Sequence, residues 1–343
     1  MSRGSGVEVA VIGYGDAHTP STRFRFLMLR ELLAEQGVRL SVCYASQVKA
    51  RDASVMRLLS DSDVIVNQKA LLSRRWLTRL KSLDKPIVFD LDDAVWTRPG
   101  KPYGWLTSRR VARRLSGWAR SADCVTTASE YLAQRMIGFG ARKTRVVPMA
   151  LDDADPTPSA TRPARTDRIR VGWLGAPGNL PGLISLSTTL RSVMRARPEA
   201  ELAVFCGERP ELDCEFDWVE YRKGGDKAFA ASLDIGLLPL PDDEYSLGKS
   251  PIKALLYMRG GAAVIGNFVG ASNDICGGGR GLAAHGPGEW EAGLLELIDD
   301  ESARRTIAEK GRCFVQRAHQ ARAVARSMSQ LYRELATRRA LPG

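Results

Sequence analysis

Two apolar runs, half a chain apart and each running straight into glycine, constrain this sequence more than any other feature. Val7 to Ile12 leads into Gly13-Tyr14-Gly15, and Ile169 to Leu174 leads into GAPGN at 175–179. An apolar run of that length reads as a buried strand, and glycine at its end permits a tight turn. Behind the first run, Phe26, Leu29, Leu32 and Leu33 recur at helical spacing. Strand, glycine turn and helix, started twice, predict two doubly wound α/β domains. A length of 343 residues suits two domains of ordinary size. Asp152 to Asp167, DDADPTPSATRPARTD, is rich in Pro, Ala and Thr and reads as the interdomain linker.

The clearest single unit spans 234–267. Asp234 to Leu240 is a short apolar run closed by prolines at 239 and 241, which reads as a buried strand. After a polar loop, Ser250 and Pro251 are the expected N-cap and first-turn residues of a helix carried by Ala254, Leu255, Leu256 and Met258. Gly260-Gly261 stops that helix and Ala262 to Ile265 begins the next strand. The loop before the helix then lies at a strand's carboxyl end, where open α/β sheets take ligands. Lys249 precedes the expected N-cap and Lys253 sits in the first turn. A lysine there is unfavourable by roughly a few tenths of a kcal/mol, because the helix dipole is already positive. An anion reverses the sign, since two ammonium groups and the free first-turn N–H groups converge on it. A phosphate site and a pair of solvated lysines both fit the spacing.

Other strand ends carry candidate residues. Gly13-x-Gly15 is part of a G-x-G-x-x-G fingerprint, with His18 in the third position. Ser21 or Thr22 reads as the N-cap of the following helix, with Arg23 and Arg25 near its start. Val38 to Val42 and Asp63 to Asn67 read as strands, and Pro86 to Phe89 as another ending in Asp90-Leu91-Asp92-Asp93. Clustered carboxylates at a strand's carboxyl end signal a site; capping of the next helix accounts for one of them more easily than for three. Glu201 to Cys206 ends at Gly207, and the loop 267–281, with Gly270 and Gly277 to Gly279, either approaches a ligand closely or simply turns.

Charge is lopsided. Residues 1–150 hold 25 Lys/Arg against 13 Asp/Glu, a net +12, within a whole-chain net of +11. An anionic partner or surface is implied for the first half. Residues 98–120 hold seven basic residues and no acidic one, interleaved with Tyr103, Trp105 and Trp118. That composition suits a helix lying on an anionic membrane, a helix holding a phosphorylated acceptor, or a basic solvated face. Nucleic acid is not expected, because no recognised nucleic-acid module accompanies the charge. Six scattered cysteines without a C-x-x-C pair read as free thiols, and three distant histidines offer no zinc motif. With no apolar run of membrane-spanning length and no signal-peptide pattern, a cytoplasmic protein is expected, peripheral on the membrane where the basic helix binds.

Five stretches, STRFRF (21–26), FDLDDAVW (89–96), SADCVTTASEYLA (121–133), VGWLGAPGN (171–179) and D-I-G-x-x-P-L…G-K…K-A-L-x-Y-M (234–258), resemble family 4 glycosyltransferases of the GT-B fold, in the family's order. The resemblance implies two Rossmann-like domains facing a central cleft: 1–151 on the acceptor side, linker 152–167, 168–315 binding the donor, and a last helix 316–343 returning to the first domain. It implies retaining transfer of a sugar from a nucleotide-sugar donor to a hydroxyl acceptor, with no cofactor and no metal, while the basic excess alone points to an anionic or amphiphilic acceptor. Asp92, Asp93, Lys249 and Lys253 become the catalytic candidates. Gly15, Arg23, Arg25, Gly175, Asn179, Gly207, Ser250 and Gly270 become the donor-binding ones. The family's two glutamates, eight apart, fall here on Gly248 and Leu256. A leucine cannot accept a hydrogen bond from a ribose hydroxyl, so a non-catalytic partner-binding subunit stays open beside transfer. A sugar-nucleotide epimerase of the same fold is a further alternative. The truncated glycine fingerprint, without a ribose-binding acid on the second strand, disfavours a nicotinamide dehydrogenase.

Overall fold

The computed structural model describes residues 6–16, 19–151, 168–241 and 243–340; His18 and the linker expected at 152–167 lie outside the described residues. The chain folds as two compact units. The first takes the described residues up to 151, Leu247–Ser250 and those from His319 onward; the second takes the rest. The division expected from sequence has no separate place for Leu247–Ser250.

In the first unit the elements that position the site are β1 (Val7–Gly13), α1 (Pro20–Arg25), α2 (Arg30–Glu35), β2 (Val38–Tyr44), β3 (Val64–Gln68) and α3 (Arg74–Lys81). They are followed by β4 (Ile87–Leu91), α4 (Trp105–Ser121), β5 (Cys124–Thr127), α5 (Glu130–Gly138) and β6 (Thr144–Val146). The strands form one parallel sheet in the order β2-β1-β3-β4-β5-β6. Every residue of β3 and β4 is buried, as expected of parallel strands covered on both faces.

The second unit repeats the scheme with β7 (Ile169–Leu174), α6 (Ser187–Ala196), β8 (Ala200–Cys206), β9 (Asp217–Glu220), β10 (Ile235–Leu238), α7 (Ile252–Gly260) and β11 (Ala263–Gly266). After these come α8 (Ala271–Cys276), β12 (Leu282–Ala283), α9 (Pro287–Asp299) and α10 (Glu301–Ala318). Its parallel sheet is ordered β12-β11-β10-β7-β8-β9. The closing helix α11 (Ala321–Ala340) belongs to the first unit, where Val324, Met328, Leu331 and Tyr332 join Val9, Val11, Phe26 and Leu29 in one core. Two doubly wound sheets are thus the observed architecture, as the paired strand–glycine starts predict.

Helix starts differ from the sequence expectation. α1 begins at Pro20 with Thr19 in the N-cap position, so Ser21 and Thr22 lie inside the helix and their hydroxyls serve other partners. α7 begins at Ile252 with Pro251, not Ser250, at its N-cap, and no side chain caps it. Its end agrees: Gly261, at φ +84°, takes the left-handed C-cap that a side chain would strain.

Arg25 and Asp90 pin α1 to β4 from inside the first unit. Arg25 is 2% exposed and Asp90 1%, and the guanidinium donates to both carboxylate oxygens and to the Val147 carbonyl. Thr126 Oγ1 donates to Asp90 Oδ1 at 2.6 Å. Replacing Arg25 by Met leaves a buried carboxylate without its cation, which should cost about 3–5 kcal/mol in urea unfolding. Arg25→Met combined with Asp90→Leu removes both charges and is expected to recover a large part of that loss.

Candidate active site

Strand order in the first sheet reverses between β1 and β3, and the carboxyl ends of strands at such a reversal are where open α/β sheets take ligands. Gly15 makes the turn after β1: its φ is +79°, and a Cβ there would lie 2.3 Å from Thr19 Oγ1. Gln68 ends β3 and ties this end of the sheet together. Its Oε1 accepts from Thr22 Oγ1 at 2.7 Å and from the Tyr14 N–H at 3.3 Å, while its Nε2 donates to Ser21 Oγ at 2.8 Å. Ser21 passes the chain on by donating to Asp92.

Lys69 follows, at φ +40°, an uncommon backbone state for a lysine. Its ammonium is buried 2.9 Å from Asp92 Oδ1 and 2.6 Å from Asp93 Oδ2, and 5.4 Å from the centre of the Tyr14 ring. Burial works against that charge, but attraction to Asp92 and Asp93 outweighs it and raises the Lys69 pKa, so the ammonium stays protonated. Burial likewise pushes Asp92 upward; Lys69, the Ser21 hydroxyl and Arg25 reverse this and hold it below the usual carboxylate range. Asp93 behaves oppositely. Burial and the neighbouring Asp92 charge raise its pKa, only partly offset by Lys69 and Lys249. The Asp93 side chain is 23% exposed against 4% for Asp92. The pair therefore divides into a locked anion and a reachable, more basic carboxylate able to accept a hydrogen bond or proton from an arriving hydroxyl.

Leu247–Ser250 brings Lys249 into electrostatic reach of Asp93. The approach depends on Gly248, because a Cβ there would lie 2.7 Å from the Ala94 methyl and 3.1 Å from Leu132 Cδ2. A glutamate at 248 has no room. Leu256, at the other position where the resembled family has glutamate, is buried on α7.

In the second sheet the order reverses between β7 and β10. There Lys253, in the first turn of α7, holds its ammonium 4.1 Å from the centre of the Trp173 ring. A Cβ on Gly175 would meet that nitrogen at 2.5 Å and the Trp173 ring at 2.6 Å, so glycine lets the lysine close over the strand end. One turn on, Tyr257 accepts a hydrogen bond from the Leu174 N–H at 2.9 Å, fixing α7 against β7. Gly236 makes room for it, since a Cβ there would lie 2.4 Å from the Tyr257 ring.

The remaining sequence candidates are placed as follows. Asn179 closes a short 3-10 turn after Gly175, Gly207 follows the end of β8, and Gly270, at φ +50°, opens α8. All three sit at carboxyl ends of strands; Gly207 is exposed with only Tyr221 Cβ 4.0 Å from a hypothetical side chain, so nothing there demands glycine. Arg23 is half-buried, its guanidinium 4.6 Å from the centre of the Phe24 ring. Arg25 departs from its expected contact with ligand, because Asp90 and the Val147 carbonyl engage its guanidinium in the interior. Ser250 does not cap α7. Lys69, Gln68 and Tyr257 are site residues that the sequence reading missed; the polar triplet Asn67-Gln68-Lys69 closing an apolar strand was the available signal.

No protein-family model matches the chain, and no curated protein matches it in sequence. Solved structures show the class of fold: the chain has the two-domain GT-B architecture. HepE of Anabaena, in complex with UDP and glucose, matches with a TM-score of 0.72 at 13% identity, covering 96% of this chain and all of that one. A glycosyltransferase of Rickettsia africae gives 0.71 at 10% identity, covering 96% and 99%. Sucrose-phosphate synthase of Thermosynechococcus elongatus gives 0.68 at 14%, again covering 96% and 99%.

Lys69→Met leaves two adjacent carboxylates with their buried cation removed. The Asp92 pKa should then rise above the unfolded value of about 3.9 and that of Asp93, already raised, should climb further, so the variant binds extra protons when folded and loses stability as pH increases. The stability deficit relative to wild type, about 3–5 kcal/mol at neutral pH, should shrink in urea melts at about pH 5.

Proposed function

We propose that this chain is a retaining glycosyltransferase, moving a sugar from a nucleoside-diphosphate donor to a hydroxyl acceptor. The observation that carries the reading is Lys253, held over Trp173 against the Gly175 backbone at the reversal point of the second sheet. It sits in the first turn of α7, which no side chain caps and whose positive dipole favours an anion. When a sugar leaves a nucleotide donor, negative charge develops on the departing diphosphate. Positioned cations stabilise it without a covalent nucleophile. The bound UDP and glucose of HepE support a uridine nucleotide as the donor class.

The first unit supplies the acceptor side. Asp93 receives the acceptor hydroxyl's hydrogen bond, while Asp92 and Lys69 fix its position and charge. Lys69 already occupies the cation place between the two carboxylates, so the pair is assigned to hydroxyl binding and not to metal. Lys249 tempers the basicity of Asp93. Among the remaining candidates of the second unit, Asn179 and Gly270 are assigned to close approach of the donor at strand ends, while Gly15 shapes the first unit's own strand end.

A thermal-shift series against UDP, GDP, dTDP and their sugar conjugates tests the donor site. A selective ligand at a hundred times its dissociation constant should stabilise the protein by about 2.7 kcal/mol. Lys253→Ala should weaken that shift and cut turnover by about tenfold to a hundredfold, on the scale of a lost transition-state donor. Asp93→Asn should reduce turnover while leaving the nucleotide shift intact. Absence of any nucleotide shift would favour the partner-binding subunit, and conversion of a sugar nucleotide without acceptor would identify an epimerase.

A further inference from the structure

We propose that α3 and α4 together form a docking face for an anionic lipid surface, independent of the transfer reaction. The basic character of 98–120 is visible in sequence; the structure adds a second helix and an apolar tip. α3 lies beside α4: Trp118 Nε1 donates to the Leu72 carbonyl at 3.1 Å, and Arg114 Nη1 to the Leu71 carbonyl at 3.2 Å. A Cβ on Gly117 of α4 would be in contact with Leu77 of α3 at 3.8 Å. To the five arginines of α4, α3 adds Arg74, Arg75, Arg79 and Lys81, and neither helix carries an Asp or Glu.

Burial sorts the residues of α4 by face. Leu115, Trp118 and Ala119 turn inward, which corrects the reading of Trp118 as part of a surface stripe. Trp105, Arg109 and Arg113, spaced four apart, are exposed together, as are Leu106 and Arg110. Trp105 is 70% exposed and Leu106 69%. Guanidinium groups pair with aromatic rings across this region: Arg109 lies 5.5 Å from the centre of Trp105, Arg79 5.6 Å from Trp76, and Arg98 5.5 Å from Tyr103.

This combination matches a headgroup layer. Arginine forks bind phosphate bidentately, and the amphipathic indole ring rests at the boundary between headgroups and acyl chains. An adjacent leucine gains nothing from a nucleic-acid backbone but escapes water in a bilayer interface. The observations therefore favour lipid over nucleic acid as the polyanion.

Co-sedimentation with vesicles tests the face on the full chain. Phosphatidylcholine vesicles are compared with vesicles in which about a third of the lipid is phosphatidylglycerol. Wild type should pellet with the anionic vesicles only and be released as salt rises. Arg109→Ser combined with Arg110→Ser and Arg113→Ser should weaken binding by about tenfold or more. Trp105→Ser with Leu106→Ser should lower affinity while leaving the salt dependence, separating the apolar tip from the charge. All five positions are exposed, so circular dichroism and melting should match wild type. Equal pelleting with neutral vesicles, no pelleting, or variants that bind like wild type overturn the proposal. Retardation of a random single-stranded RNA through the same arginines, with vesicles ignored, overturns it in favour of nucleic acid.

Discussion

A match between two residue spacings underlies the first unit's site. Ser21 and Arg25 stand four residues apart on α1, a rise of about 6 Å along one helix face. Asp90 lies in β4 and Asp92 just past its end, two residues on. Each helix residue meets its own carboxylate: Arg25 takes Asp90 and Ser21 takes Asp92. A slip of one residue on either element would put the guanidinium opposite an apolar side chain. The deep pair sets the register and the shallow pair inherits it, so Asp93, the next residue, is held in place without a partner on α1.

Both sheets build their strand ends by the same rule and give them opposite electrical character. Each first strand closes on a glycine whose missing side chain is needed, Gly15 beside Thr19 and Gly175 beneath Lys253. In the first unit, a single buried lysine faces two carboxylates and leaves an acidic edge suited to hydroxyl donors. In the second, an ammonium over an indole ring meets a helix start, leaving a basic edge suited to phosphate. One topology thus supports two binding chemistries through the side chains set on it.

The architecture was legible because its signals are local. Buried parallel strands appear as apolar runs such as Val64–Gln68 and Ile87–Leu91, and Gly261 marks a helix end whatever surrounds it. Asp92, Asp93 and Lys253 could be singled out because charges at strand ends and first helical turns are conspicuous. Contacts between residues far apart in sequence were not legible. Arg25 looked available for phosphate until its partner 65 positions away was seen, and Ser21 looked like a cap. Lys69 stands out locally only as the last of a polar triplet closing an apolar strand, and nothing in that triplet shows that its ammonium lies buried between two carboxylates. Gly248 read as a lost glutamate, whereas Ala94 and Leu132 leave space for hydrogen alone.

The first unit's core has a consequence for synthesis. Ala321, Val324, Met328, Leu331, Tyr332 and Leu335 pack among Val9, Val11, Phe26, Leu29 and Leu33. On the ribosome, β1 emerges before the helix that completes its hydrophobic cover, and the entire second sheet is made between them. The second unit can therefore finish folding while the older half of the chain still exposes one face of its sheet. Completion of the first unit's core therefore waits on a helix that the chain reaches only after the second sheet.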